Sequence, residues 1–184
     1  MKKEFYASAR WTVSIGFLKG FSLIELLMSL ALLSVLLAVA LPSFSSILSQ
    51  VRVDEDVSAI RGALSFTRMA AISKHKQVIA CRWDGADGCT GNAGTGTLNW
   101  GKGIFVYIDI DGNKTWDGLI DTPLKAVEFS LSNVITWNRG EKVVFKSDGS
   151  SPGYNGSFVL NGMDGSSARL VLSVTGRLRN DSAY

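Results

Sequence analysis

Twenty-one consecutive residues, Phe21–Leu41, carry one charge between them, that of Glu25. A helix of that length extends about 31 Å, the thickness of a bilayer's hydrocarbon core. The run therefore constrains the chain more than any other feature. Four bases, Lys2, Lys3, Arg10 and Lys19, precede it, against the single acid Glu4. The positive-inside rule then leaves the N-terminus in the cytoplasm and exports the chain beyond the run. A secretory signal would be cut after its apolar stretch, behind a small-x-small site. Leu41-Pro42-Ser43 offers none, so the run is expected to stay as an anchor. The formal charge of +3 also belongs to the N-terminal end, because the chain after Gly20 is formally neutral. Affinity for an anionic partner must then come from a local patch.

Beyond the run, Pro42 removes one helix hydrogen bond and marks a point of bending or loosening. Helical spacing then continues to about Lys74, with Ile47, Val51, Val57, Ile60, Leu64 and Ala71 able to share a face. After Lys74 the period becomes that of strands. Gln77–Arg82, Gly103–Ile110, Leu124–Leu131, Val134–Trp137, Lys142–Lys146, Ser157–Leu160 and Ala168–Thr175 alternate with Gly, Asn, Asp and Ser turns. One helix followed by several strands predicts an α+β fold, an antiparallel sheet packed on the helix. The expected divisions are 1–20, a leader; 21–41, the membrane helix; 42–74, its amphipathic continuation; and 75–184, a β-rich head.

Lys19-Gly20-Phe21-Ser22-Leu23-Ile24-Glu25-Leu26-Leu27 resembles the prepilin signal of type IV pilins and type II secretion pseudopilins. The resemblance implies cleavage between Gly20 and Phe21 by a membrane prepilin peptidase, with N-methylation of Phe21. It implies that Glu25 pairs with the N-terminal amine of a neighbouring pilin subunit during assembly. A carboxylate in the bilayer costs several kcal/mol without such a partner. The chain would sit in the bacterial inner membrane as a single-pass protein with its head in the periplasm. The head is similar to the FimT and GspH minor pilins: Arg68–Lys74, Val78–Cys81, Trp100–Gly103, Phe105–Asp109, Gly112-Asn113, Phe145, Gly149 and Gly176–Arg179 fall in that order.

In FimT-type proteins a Gly-Arg-x-Arg ending is associated with DNA binding during natural transformation, and here it reads Gly176-Arg177-Leu178-Arg179. The resemblance assigns double-stranded DNA to Arg177 and Arg179, with Arg169 and Lys146 as outlying contributors. The alternatives are arginines that only guard a terminal sheet edge, a GspH-type subunit at the tip of a type II secretion pseudopilus, and a purely structural or assembly-initiating minor pilin.

Cys81 and Cys89 are the only cysteines. In an exported head they are expected to close a short disulfide loop. A metal site there lacks ligands, since His75 is the only histidine. The single histidine also supports no catalytic triad, and no enzyme activity is expected. Gly96–Gly103 falls short of a phosphate loop because Gly103 stands where Ser or Thr is required. Asp109, Asp111, Asn113 and Asp117 alternate like the start of a calcium loop, but Lys114 replaces the turn glycine and Ile120 the bidentate glutamate. An Asp-rich hairpin loop is the first reading, with calcium as the alternative and no other cofactor. Trp83, Trp100, Trp116 and Trp137 read as packing residues, with base stacking the alternative.

Overall fold

The computed structural model describes residues 20–91 and 96–181, and the side chains of all of these except 39–46. Of the expected leader, only Gly20 lies within the described residues. By its internal contacts the chain divides into two compact units, 1–41 and 42–184.

The first unit is the start of helix α1, Leu23–Lys74. Ser22 caps it: its Oγ accepts the Glu25 N–H at 3.3 Å, the spacing of a capping box. The large apolar side chains from Phe21 to Leu37 are each more than half exposed, so they form no stripe but face outward all round. Ser29 and Ser34 donate back to the carbonyls of Leu26 and Ala31, at 2.8 and 2.7 Å, and so satisfy their own hydroxyls without water. Among the described residues no helix is long and apolar enough to cross a membrane.

In the second unit α1 buries a stripe at helical spacing: Val53, Asp56, Ile60, Ala63, Leu64, Thr67 and Ala71. The expected face is corrected at its start, because Ile47 and Val51 are exposed. Packing begins one turn later, and it includes a carboxylate. Asp56 reaches a loop 74 and 77 residues away, accepting from Ser130 N at 2.9 Å and Asn133 Nδ2 at 2.6 Å. The helix ends where His75 takes a left-handed conformation, φ 52°.

The expected single sheet is two antiparallel sheets. The first runs β4-β3-β1-β6, from β1 Val78–Arg82, β3 Gly103–Ile108, β4 Thr122–Glu128 and β6 Lys142–Phe145. The second runs β2-β5-β7-β8-β9, from β2 Leu98–Asn99, β5 Val134–Trp137, β7 Gly156–Asn161, β8 Ser167–Leu172 and β9 Leu178–Asn180. β2 and β9 are absent from the strands expected above. At two and three residues they are too short for a period to register. β8 stops at Leu172 rather than Thr175 because Ser173 turns the chain.

Between the helix and both sheets lies one core, with Leu64, Ile104, Phe145 and Leu170 inside it. At its centre Trp137 stacks on Phe158 at 4.3 Å while Trp100 meets Phe158 edge-on at 5.3 Å. The outer face of the first sheet carries a second, smaller cluster: Ile79, Cys81, Phe105, Tyr107 and Val144. Trp116 covers it, 4.9 Å from the Phe105 ring and 5.1 Å from Tyr107. All six residues of β3 are consequently buried. β4 is the exposed margin of this sheet and carries Pro123 and Lys125.

Candidate functional site

The first sheet is covered on both faces. The second is covered on one, and its outer face is where the C-terminal arginines lie. On β8, Leu170 and Leu172 point into the core, so Arg169 and Val171 point outward. Val171 stands opposite Arg179, and Leu172 opposite Leu178, which packs against the core. Alternation then puts Arg179 on the outer face. Arg177 precedes β9 on the same side of Leu178, and both arginines are exposed. They line one surface groove with Val171, Thr175 and Asn155. Two residues apart in extended chain, their stems are about 6.6 Å apart.

The turn that presents Arg177 is tightly determined. The Ser173 hydroxyl accepts from Arg177 N at 3.1 Å and donates to Arg177 O at 3.2 Å. Gly176 has φ 74°, and a Cβ there would lie 2.2 Å from the Gly149 carbonyl oxygen. Only glycine fits that approach.

The other two candidate residues do not line this groove. Arg169 is engaged by Asp181 (Nε to Oδ2, 3.8 Å) and by the Ser157 hydroxyl at 3.3 Å. Lys146 begins the neighbouring turn, with Gly149 N bonded to its carbonyl at 2.8 Å, and does not line the groove. It faces Asp148, whose carboxyl is held below its ordinary value by the Ser150 hydroxyl and N–H and by the Lys146 charge. Arg68, from the helix, packs beneath Gly149 and Gly176, a neighbour that the sequence does not signal.

In the acidic loop, carboxylate oxygens of Asp109, Asp111 and Asp121 lie within 4.8 Å of one another. Asp121 is an addition to the expected set, Asp117 lies outside this group, and Asn113 donates through Nδ2 to Asp111 Oδ2 at 2.6 Å. Asp109 accepts Gly112 N at 2.9 Å and Lys114 N at 3.1 Å; Asp121 accepts Ile110 N and Asp117 N, both at 2.9 Å. Asn113 Oδ1 accepts Thr115 N at 2.6 Å, and Asp117 Oδ1 accepts Leu119 N at 2.9 Å. These carboxylates serve the loop's own backbone, and the loop is a well-bonded turn. Burial, together with the nearby acids, pushes the Tyr107 phenol far above its ordinary value.

The Cys81–Cys89 disulfide is formed, with Cα atoms 5.7 Å apart. Trp83 and Trp116 flank it. Trp100 and Trp137 are wholly buried, so stacking on a base is closed to them. In the first unit, Glu25 is in the first helical turn, and among the described residues its carboxylate meets no partner.

Comparisons with known proteins agree with this architecture. The family described as type II transport protein GspH matches residues 56–176, and the prokaryotic N-terminal methylation motif matches residues 19–41. A fimbrial protein of Moraxella nonliquefaciens is 28% identical over 130 residues, covering 71% of this chain and 78% of that protein. Among solved structures, the type IV minor pilin FimU of Pseudomonas aeruginosa has the same fold, with a TM-score of 0.51 at 16% identity. The match covers 70% of this chain and 87% of that one.

Proposed function

Since the chain belongs to the family of the type II transport protein GspH and carries the N-terminal methylation motif, it is a pilin-like minor subunit, and we propose that it serves a type IV pilus and binds double-stranded DNA through Arg177 and Arg179. The observation that carries the DNA reading is the pair of exposed arginines on the open sheet face. Guanidinium groups fork onto phosphate oxygens, and a spacing of about 6.6 Å lets both reach one strand's backbone. Elsewhere on the face Arg169 is paired with Asp181, and side chains such as Val134, Thr136 and Val159 are uncharged. Binding of this kind is weak and indifferent to base sequence, because phosphate contacts carry no direct sequence information. Several subunits on one filament raise it by avidity.

In this reading the precursor is cut between Gly20 and Phe21, Phe21 is methylated, and Glu25 meets the new amine of a neighbour. The outward-facing apolar side chains of Phe21–Leu37 support an anchor in the inner membrane before assembly. A second reading rests on the matching family's own description: a tip subunit of a type II secretion pseudopilus, contacting sibling pseudopilins.

Titrating labelled duplexes with residues 42–184 separates the two. The wild type is expected to bind with a log affinity–log salt slope of about −2 to −4, and Arg177→Gln with Arg179→Gln to lose most of the binding. Equal binding by both proteins, or by neither at low salt, overturns the DNA reading and leaves the secretion reading in front.

A further inference from the structure

Three Asn-x-Ser/Thr triplets occur in the chain, at Asn113-Lys114-Thr115, Asn155-Gly156-Ser157 and Asn180-Asp181-Ser182. Such a triplet is an acceptor for N-linked glycan only where an enzyme can reach it on an exported surface. The fold sorts them. Ser157 is buried in β7, and its N–H is held by Asn138 Oδ1 at 2.9 Å. Asn180 is bonded through its Oδ1 to Arg61 at 2.5 Å, and residue 182 lies outside the described residues. Asn113, Lys114 and Thr115 are all exposed, in the loop between β3 and β4.

The local geometry at Asn113 distinguishes it further. Its Oδ1 accepts the Thr115 N–H at 2.6 Å, so the side-chain amide and the residue two positions on are already brought together in an Asx turn. Its Nδ2 donates to Asp111 Oδ2 at 2.6 Å, and Asp111 Oδ1 accepts the Asn113 N–H at 3.1 Å. The acceptor nitrogen is thereby oriented by a carboxylate two residues upstream, which neither of the other triplets has. Lys114 holds φ 62°, so the loop bends sharply at the middle residue and the triplet projects.

We propose that Asn113 is an N-glycosylation site. The donor is a lipid-pyrophosphate-linked oligosaccharide, delivered by a membrane oligosaccharyltransferase facing the exported compartment. A bond forms between Asn113 Nδ2 and the sugar's anomeric carbon, and the bond from that carbon to the phosphate oxygen breaks. The lipid pyrophosphate leaves, and the amide proton passes to a base of the transferase. Asp111 and Thr115 act as positioning residues: Asp111 fixes the carboxamide, and the Thr115 hydroxyl remains open for recognition. The proposal rests on the export of the head and is independent of whether the arginines bind DNA.

The test is expression of the full chain in a bacterium equipped with an oligosaccharyltransferase that recognises acidic-x-Asn-x-Ser/Thr acceptors, with its lipid-linked donor. Glycopeptide mass spectrometry is run on the Cys81–Cys89 disulfide-bonded fraction alone, so that only exported chain is scored. The expected result is glycan on the Asn113 peptide. It should vanish in Asn113→Gln and in Thr115→Val, which keeps the N–H bonded to Asn113. Thr115→Ser should retain it, and Asp111→Ala should weaken it without shifting the melting temperature. An unmodified Asn113 beside a glycosylated control acceptor overturns the proposal. So does glycan on Asn155 or Asn180 in its place.

Discussion

Single residues in the second unit hold segments together that the sequence keeps far apart. Asp164 is the clearest case. It sits in the hairpin between β7 and β8, yet its Oδ1 accepts from Ser49 Oγ on the helix at 2.5 Å and from Ser166 Oγ at 2.7 Å. The Ser49 hydroxyl first, then the Ser166 hydroxyl and N–H, pull its carboxyl from 3.8 down to about 2. A carboxylate with a depressed folded-state value contributes its stability above the unfolded value, near pH 4, and loses it as the pH falls towards 2. Ser49→Ala is therefore expected to move the Asp164 titration, followed by NMR, back towards its ordinary value. An unmoved titration would mean that Ser166 alone sets it. Nothing in the sequence pairs Ser49 with Asp164, since the contact spans 115 positions. Asp56 was hidden for the same reason: in a helical wheel it reads as a surface acid, while in the fold its partners come from the Phe129–Asn133 loop.

Among the elements, those with a long period were legible and those defined by partners were not. The run GIFVYI of β3 is apolar at nearly every position, which marks a strand buried on both faces. What covers its outer face was invisible, because Trp116 comes from a polar loop and Cys89 from a short ring. That ring is an element in its own right: Asp84 N bonds Gly88 O at 3.1 Å, Trp83 and Cys89 form an isolated bridge, and the Gly88 Cα lies against Trp116 with no room for a Cβ. Closing a loop this short contributes about 2.5 kcal/mol in the chain-entropy account. Cys81→Ser with Cys89→Ser is expected to lose roughly that much in denaturant unfolding. It should also shift tryptophan emission to the red as Trp116 loosens. Full stability without the bond would show that the aromatic cluster holds itself. At the arginine site, the motif and its outward alternation were readable, whereas the turn fixed by Ser173 and the packing of Gly176 on Gly149 needed the fold.

For the whole molecule, the two units differ in what they ask of their surroundings. The second unit closes its own core. The first presents apolar side chains in every direction, each a surface that water disfavours by about 25 cal/mol per Å². The full chain is expected to remain in the membrane fraction through a high-pH wash, and residues 42–184 to stay in the supernatant. Glu25→Ala should remain membrane-bound yet fail to enter filaments; unimpaired assembly would remove the proposed pairing with a neighbour's amine. A subunit built for a polymer also faces a hazard that a solitary protein escapes. Packed among its siblings at very high local concentration, any bare sheet margin would offer a second direction of growth, sideways, by strand joining strand. The long margin β4 bears Pro123, which has no N–H to give, and Lys125, whose charge resists a like neighbour. This margin is thereby guarded against sideways strand joining.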